Sequence, residues 1–400
     1  MSDNIPHEIV VEILTNLPTK SLMKFKCVSK LWHSVLTDPT FIKKHLNRSI
    51  ETPKFDLIAS KIQITTQLTT DDVKLRLGFG SPTDVSLPFH QLHMYHLPGD
   101  SFDKIDYFGN PYEFSHSDES ILLGSCNGIV CLANCQVICL RNPCTRENKS
   151  VIIGKKLYAS ERNDYYAVEV NAYGFGYDRV RDDYKCVQLM SRDVYPNYSE
   201  FNVFSMKNGS RKTIRDVPYD VAYAKELGVF VSGALHWVVW VKKTVNKVIV
   251  AFDIEKNVFR EVPSPTTVDQ DFELNLGLLQ GQLCVLRKYV GCPDIDIWVM
   301  KNYGVTESWS KIIKMELVYP YDVLARLTPL GFGKNGEIVL KSESSLDLYD
   351  PKNKTLKQHL GTHGTIDWMG TPGSLDWSKV SSVVAHVDSL VSLKSYVSRA

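Results

Sequence analysis

The chain changes its hydrophobic period once, near residue 50. In residues 4–48 the apolar positions have helical spacing: Ile9, Val10, Ile13, Leu14 and Leu17 fall at i, i+1, i+4, i+5 and i+8, one face of a helix. Pro6 suits a first helical turn, with Asn4 as its cap. Pro18 stops that helix, because proline lacks an amide donor and disfavours helix in the residue before it. A second helix starts at Thr19 or Ser21 and carries Leu22, Phe25 and Val28. A third presents Leu31, Trp32, Val35 and Leu36. Asp38-Pro39 is a cap and first-turn proline for a last helix with Phe41, Ile42 and Leu46. A unit of about forty-five residues has too little core to be stable alone, so its apolar faces need a partner, either the rest of the chain or another protein. From about residue 55 the period becomes that of strands, at 55–59, 62–68 and 73–77 and then in many short runs split by Gly, Asn, Asp and Pro.

The strand-rich part repeats. A strand, a polar turn and a second strand recur at 137–146, 201–209, 248–257, 295–304 and 346–353. With the residue at the end of each first strand as landmark, Ser205, Asp253 and Lys301 stand 48 apart, and Asp350 lies 49 further on. Asn142 lies 63 before Ser205, so an insertion falls between them, with 151–171 the obvious place. A second element precedes several copies: Asn127-Gly128, Ser232-Gly233, Gln280-Gly281 and Asn335-Gly336 each read as a tight turn entering a mostly apolar strand buried on both faces. A buried strand followed by an amphipathic hairpin, at this period, is what one propeller blade requires. Five copies plus the early strands imply about six blades, with 383–393 pairing to the early strands to close the ring. A pair of stacked sheets with coincidental spacing is the alternative.

Composition narrows the function classes. The chain has 46 basic and 45 acidic residues, net charge +1, so no field of one sign exists to hold nucleic acid or an anionic membrane. The longest apolar stretch, 228–241, is broken by Ser232, Gly233 and His236 and falls short of the ~20 residues that span a bilayer. The opening Met-Ser-Asp-Asn-Ile-Pro has no basic region followed by an apolar one, so a secretory signal is not expected and a cytoplasmic or nuclear location is. The nine cysteines, an odd number without framework spacing, are then free thiols.

Most candidate chemistry dissolves on inspection. Gly124-Ser125-Cys126-Asn127-Gly128 has the form of a nucleophile elbow, but an elbow joins a strand to a helix and here a strand follows. Cys126, Cys131, Cys135, Cys139 and Cys144 lack the close pairs that tetrahedral zinc prefers, and several lie in apolar strands. His90-x-x-His93-x-x-His96, bracketed by Leu87-Pro88 and Leu97-Pro98, reads as a polar loop in place of a metal site. Gly174-Phe175-Gly176 lacks the third glycine and helix of a dinucleotide loop, and no Walker motif occurs. No cofactor, metal or catalytic residue is expected. His93, Trp368 and Trp377, with the insertion 155–166, are the candidates for contact with a partner.

Two sets of residues carry a resemblance. Ile5-Pro6-x-x-Ile9, Leu17-Pro18-x-Lys20-Ser21-Leu22-x-Lys24-Phe25-Lys26-x-Val28-Ser29-Lys30-x-Trp32 and Asp38-Pro39-x-Phe41 resemble the plant F-box in order and spacing. Gly124–Leu132, Asn142-Pro143-x-Thr145-Arg146-Glu147, Tyr173–Asp178, Gly233–Trp237, Ile297–Trp309 and Ser389-Leu390-Val391-Ser392-Leu393 are similar to the F-box-associated domain of plant F-box proteins, among them the S-locus group that recognises pollen-rejecting ribonucleases. The hairpin at 205–215 departs from it, having Ser210-Arg211-Lys212 where Trp-Arg is usual. The resemblance implies a mainly β chain with a small N-terminal α module: an F-box at 1–48, a linker and first strands at 49–100, and a kelch-like β-propeller at 101–395. It implies a non-catalytic subunit of an SCF-type ubiquitin ligase. Ile5, Pro6, Ile9, Ile13, Leu14, Leu17, Pro18, Leu22, Phe25, Val28 and Trp32 would dock a Skp-type adaptor, and through it a cullin, while the β domain holds an unidentified protein target. Some of these, Val28 and Trp32 especially, would serve equally as internal core. The rival reading is a propeller lectin or enzyme with an incidental helical cap.

Overall fold

The computed structural model describes residues 6–51, 56–65, 87–96, 103–108, 121–133, 137–153, 168–192, 195–215, 217–221, 226–242, 244, 246–265, 272–289, 292, 294–316, 327–333, 335–342, 345–361 and 380–396. Four helices come first: α1 (His7–Thr15), α2 (Thr19–Phe25), α3 (Lys30–Thr37) and α4 (Pro39–Glu51). Their boundaries follow the expected signals. Pro6 and Pro18 are the N-caps of α1 and α2, so Pro6 stands one position outside the helix. Ser29 Oγ accepts the Trp32 amide at 3.1 Å to start α3. Asp38 Oδ1 accepts the amides of Thr40 (2.8 Å) and Phe41 (3.1 Å), satisfying donors that the first turn of α4 leaves without partners.

Six sheets follow among the described residues, antiparallel throughout except for one short parallel strand. Blade 2 (Ile121–Cys126, Ile129–Ala133, Val137–Arg141, Asn148–Ile152) shows the plan: a four-stranded meander in sequence order. Blade 3 (Val168–Asp178, Asp183–Arg192, Tyr195–Ser205, Arg211–Arg215), blade 5 (Phe272–Leu279, Gln282–Tyr289, Asp294–Met300, Trp309–Glu316) and blade 6 (Thr328–Phe332, Ile338–Lys341, Ser345–Asp350, Thr355–Gly361) repeat it. Blade 4 (Ala234–Val241, Lys247–Asp253, Val258–Val262) has a broken inner strand made of Tyr219–Val221 and Val229–Val231. Between those pieces Glu226–Leu227 crosses to pair in parallel with blade 3. First strands of successive blades neighbour one another around the ring.

Blade 1 closes the circle. Asp56–Thr65, Leu87–His96 and Asp103–Phe108 come from the start of the β region, and the inner strand Val380–His386 comes from the end. Ile58 faces Val384 and Ala59 faces Val383 across that seam. The expected pairing therefore exists, but it stops at His386, and 387–396 leaves the sheet. The runs at 55–59 and 62–68 form one strand, Asp56–Thr65; the run at 73–77 and most of the 151–171 insertion lie outside the described residues.

The repeats have local causes. Each Gly turn joins the first and second strands, and three of the four have positive φ at two successive residues: Asn127 and Gly128 (52° and 75°), Ser232 and Gly233 (50° and 79°), Gln280 and Gly281 (50° and 75°), while Asn335-Gly336 has it at Gly336 alone (88°). That geometry matches the twist of a two-residue hairpin. The strand it enters is buried throughout at Ile129–Ala133 and nearly so at Ala234–Val241 and Gln282–Tyr289. The landmark residues end the third strands, where Asn142, Asp253 and Asp350 accept backbone amides two and three residues on and so fold the next turn. Gly174 and Gly176 serve packing. A Cβ on Gly174 would stand 2.7 Å from Leu235, and one on Gly176 2.5 Å from Ile254, so blades 3 and 4 approach closely only without one. The hairpin at 205–215 forms despite its departure from the usual residues, with Arg211 Nε bonded to Asn202 Oδ1 at 2.9 Å and its guanidinium over Phe204.

Candidate functional site

The helices gather a small core, which Leu390 from the C-terminal segment completes. Leu14, Leu22, Val35, Leu36 and Phe41 are sealed, with Leu17, Phe25 and Trp32 packed half-buried against them. Phe25 and Trp32 meet edge to face, centroids 5.1 Å apart. His45 in α4 bonds the carbonyl of Leu17 at 2.9 Å, filling the gap that Pro18 leaves between α1 and α2. Glu12 ties α1 to α4 through Lys44 Nζ at 2.8 Å, and that hydrogen-bonded ammonium holds the Glu12 carboxyl below its ordinary range.

What this core leaves uncovered is the candidate site. Ile9 is 50% exposed, Ile13 51%, Val28 62% and Leu31 57%. Ile9 and Ile13 lie one turn apart on a single face of α1. Val28 sits in the turn between α2 and α3, and Leu31 in the first turn of α3. Pro6 and Pro18 are exposed beside them. Such side chains gain nothing from solvent and are ready to be covered.

The eleven residues put forward for this face therefore divide. Pro6, Ile9, Ile13, Pro18 and Val28 are exposed; Leu17, Phe25 and Trp32 are half-buried. Leu14 and Leu22 must be taken off the surface, since both are 0% exposed and an i, i+4 pattern alone does not say which edge of a helical stripe turns inward. Val28, suspected of being core, is 62% exposed. Leu31 was missed; it stands in the same apolar run and differs from Val35 and Leu36 only in the turn it occupies. Ile5 lies outside the described residues.

The helical unit rests on one end of the ring. The segment beyond the closing strand passes between them: Leu390 enters the helical core, while Asn142 Nδ2 donates to the carbonyl of Val391 at 2.7 Å. Asn142 belongs to the turn between the third and fourth strands of blade 2, and that end carries the first-to-second turns as well. The strand ends that launch the connections between blades (Ile152, Val262, Glu316 and Gly361) lie at the opposite end.

The remaining candidates change character. Leu87–His96 is a strand paired over its whole length with Asp56–Thr65, so the loop that would gather His90, His93 and His96 is not there. At ~3.3 Å per residue their backbones are spread along the strand. The flanking prolines suggested a loop, and the histidines, spaced three apart, follow no strand period that would have argued against one. Trp368 and Trp377 lie outside the described residues, as do 155–166. Cys126 is buried at a strand end, and burial pushes its thiol up to about 12, the reverse of an activated nucleophile. Among the described residues no three His, Cys, Asp or Glu side chains gather as a metal site, and no helix is long and apolar enough to cross a membrane.

Residues 91–367 match the family described as F-box associated beta propeller domain, and residues 2–44 match the F-box domain. The chain belongs to the plant F-box proteins with an F-box-associated propeller. It is similar to the F-box protein CPR1 of Arabidopsis thaliana, 27% identical over 386 residues that cover 88% of this chain and 84% of that one. It is also similar to the F-box/kelch-repeat protein At3g23880 of the same plant, 26% identical with 88% of each chain covered. Among solved structures, TolB from Acinetobacter baumannii superposes over 90% of this F-box protein and 73% of its own chain, with a TM-score of 0.42 and 10% identity. Ile9, Ile13, Val28 and Leu31 fall within the F-box match and blades 2–6 within the propeller match, while most of blade 1 lies outside it.

Proposed function

We propose that this F-box protein is the target-recruiting subunit of an SCF-type ubiquitin ligase, with Pro6, Ile9, Ile13, Pro18, Val28 and Leu31 covered by a Skp-type adaptor that connects to a cullin. The observation that carries the reading is the set of open aliphatic side chains on a helical core that Leu390 completes from the ring side. The ring holds a protein target at the end away from the F-box, because the F-box and the C-terminal segment occupy the other end. Ubiquitin transfer then needs no acid, base or nucleophile in this chain. Holding a target beside a charged enzyme raises the effective concentration of its lysines, and that is the whole contribution. The work is done in the cytosol or nucleus. The target is a protein whose class (a ribonuclease in self-incompatibility, a defence component or a turnover substrate) is chosen by residues at the far end.

Co-expression with a Skp-type adaptor tests the reading. The wild-type pair should co-purify, and Leu31→Asp should abolish the pair while leaving the chain folded. A folded chain that never retains the adaptor would end the proposal.

A further inference from the structure

The F-box is joined to the ring covalently through residues 52–55, which lie outside the described residues. Apart from the charges of Lys26 and Lys20, which act directly on Glu147 and Cys144 of blade 2, the described contacts between the two run through the other end of the chain. Leu390 is 2% exposed and packs with Leu14, Leu22 and Leu36 of the F-box. On its opposite side the same segment is stitched to blade 2. Asn142 Nδ2, fully buried, donates to the carbonyls of Ser389 at 3.1 Å and Val391 at 2.7 Å. The Glu147 carboxylate accepts from the Leu393 amide at 2.6 Å and from Ser392 Oγ at 2.8 Å.

Three further features show that the ring is shaped to receive this segment. Gly128 has φ +75°, and a Cβ there would stand 2.2 Å from Ser389 Oγ, so only glycine lets the segment lie so close. Leu393 and Tyr396 are buried in the core shared by blades 2 and 3. Against burial, the Asp388 carboxyl is held below its ordinary range by the His386 imidazole (Nε2 3.6 Å from Oδ1) and the Cys144 thiol, and from the F-box side the Lys20 ammonium adds its charge. The arrangement has three layers: helices, C-terminal segment, ring.

We propose that residues 387–396 are a clamp that sets the orientation of the F-box on the propeller, which makes Asn142 and Glu147 positioning residues for ubiquitin transfer. Transfer by proximity depends on how stiffly the target is held relative to the charged enzyme. A clamped F-box presents a narrow set of lysines; an F-box whose orientation is not held presents many. The consequence for transfer rests on the ligase reading above, whereas the clamp is a property of the chain alone and can be measured without any partner.

Two native thiols give the measurement. Among the described residues Cys27, in the F-box, and Cys292, in the ring, are exposed. With both spin-labelled in a full-length Cys135→Ser background, double electron–electron resonance should return one narrow distance distribution. Leu390→Ala breaks the contact on the F-box side and Asn142→Ala the contact on the ring side, and each should broaden and shift the distribution. Because they act on different layers, unfolding of one region by one variant leaves the other decisive; cooperative melting and circular dichroism identify which chain is intact. A broad distribution in the parent, or a narrow and unmoved one in a folded variant, overturns the clamp. In a ligase reconstituted with a Skp-type adaptor, self-ubiquitination mapped by mass spectrometry should spread to additional lysines in Asn142→Ala. An unchanged lysine map in a variant with a broadened distance overturns the positioning role. Loss of adaptor binding by the parent itself overturns the ligase reading and leaves the distance result standing.

Discussion

Leu31 and Leu14 stand in neighbouring helices of one small unit, and the structure gives them opposite tasks. Leu31 is 57% exposed and Leu14 is 0% exposed. Fully burying a leucine or isoleucine side chain contributes about 1.5–3 kcal/mol, so covering the open half of Ile13 or Leu31 contributes about 1 kcal/mol each. Ile13→Ala with Leu31→Ala should therefore weaken adaptor binding by about 2 kcal/mol, roughly thirtyfold, if the two sites add. Leu31→Asp should lose it altogether, because a carboxylate would be buried without a partner. Neither change should move folding stability by more than about 0.5 kcal/mol, as expected of surface positions. Leu14→Ala is the control with the reverse signature: a cavity in the core costs about 2–5 kcal/mol of local stability, and binding fails only as the helices unfold. Titration calorimetry with the adaptor, read beside hydrogen exchange over residues 7–51, separates the two effects. Wild-type affinity in the Ile13→Ala, Leu31→Ala chain would refute the assignment of this face.

Other predictions concern the ring. His236 is 0% exposed, bonds the Val229 carbonyl and Tyr303 hydroxyl, and is pushed down by burial to about 4. Above pH 6.5 both folded and unfolded forms are neutral at this residue. As pH falls toward 4 the unfolded chain takes up a proton that the folded chain refuses, so stability drops by roughly 3 kcal/mol in total. Urea melts at pH 7 and pH 5 should show a smaller loss in His236→Gln; an identical loss would rule the residue out. Gly174→Ala should destabilise the contact of blades 3 and 4 by about 1–3 kcal/mol, since its Cβ would press on Leu235 and Trp237; an unchanged thermal midpoint would show that the blades yield freely. Asp178, with 0% of its side chain exposed, pairs with Lys185 at 2.7 Å and Arg181 at 2.9 Å. Asp178→Ala should cost about 3 kcal/mol by stranding the Lys185 ammonium in the interior, and a denaturation midpoint like that of the wild type would contradict it.

The β domain was legible because its signals are local and repeated. Asn127-Gly128 and Gln280-Gly281 demand positive φ, and Asp253 and Asp350 fold their own turns, so each copy announces the same strand order. The strand Leu87–His96 was misread because Pro88 and Pro98 look like loop punctuation, while the pairing that overrides them lies some thirty residues earlier, in Asp56–Thr65. Gly174-Phe175-Gly176 was recognised as no nucleotide loop, yet its reason, the approach of Leu235 and Ile254, belongs to another blade. At the candidate site, helical spacing found the right stripe but not its inner edge. Leu14 and Ile13 are adjacent in sequence, and only the positions of α3 and α4 decide that one is sealed and the other open.

The sequence of the first forty-odd residues implies a unit that cannot stabilise itself, and the structure resolves that shortage in two separate ways. One part is met within the chain: Leu390, from the far C-terminus, completes the core around Leu14, Leu22 and Leu36. The other part, on Ile9, Ile13, Val28 and Leu31, is left open. If the open residues existed only because a small core is hard to close, Leu390 would be expected to cover them, since a chain segment already lies against the unit. It covers the inward face instead, the one turned toward the ring. Apolar side chains left uncovered beside a segment that covers others are what the adaptor reading requires, since a protein surface of matching shape would cover them.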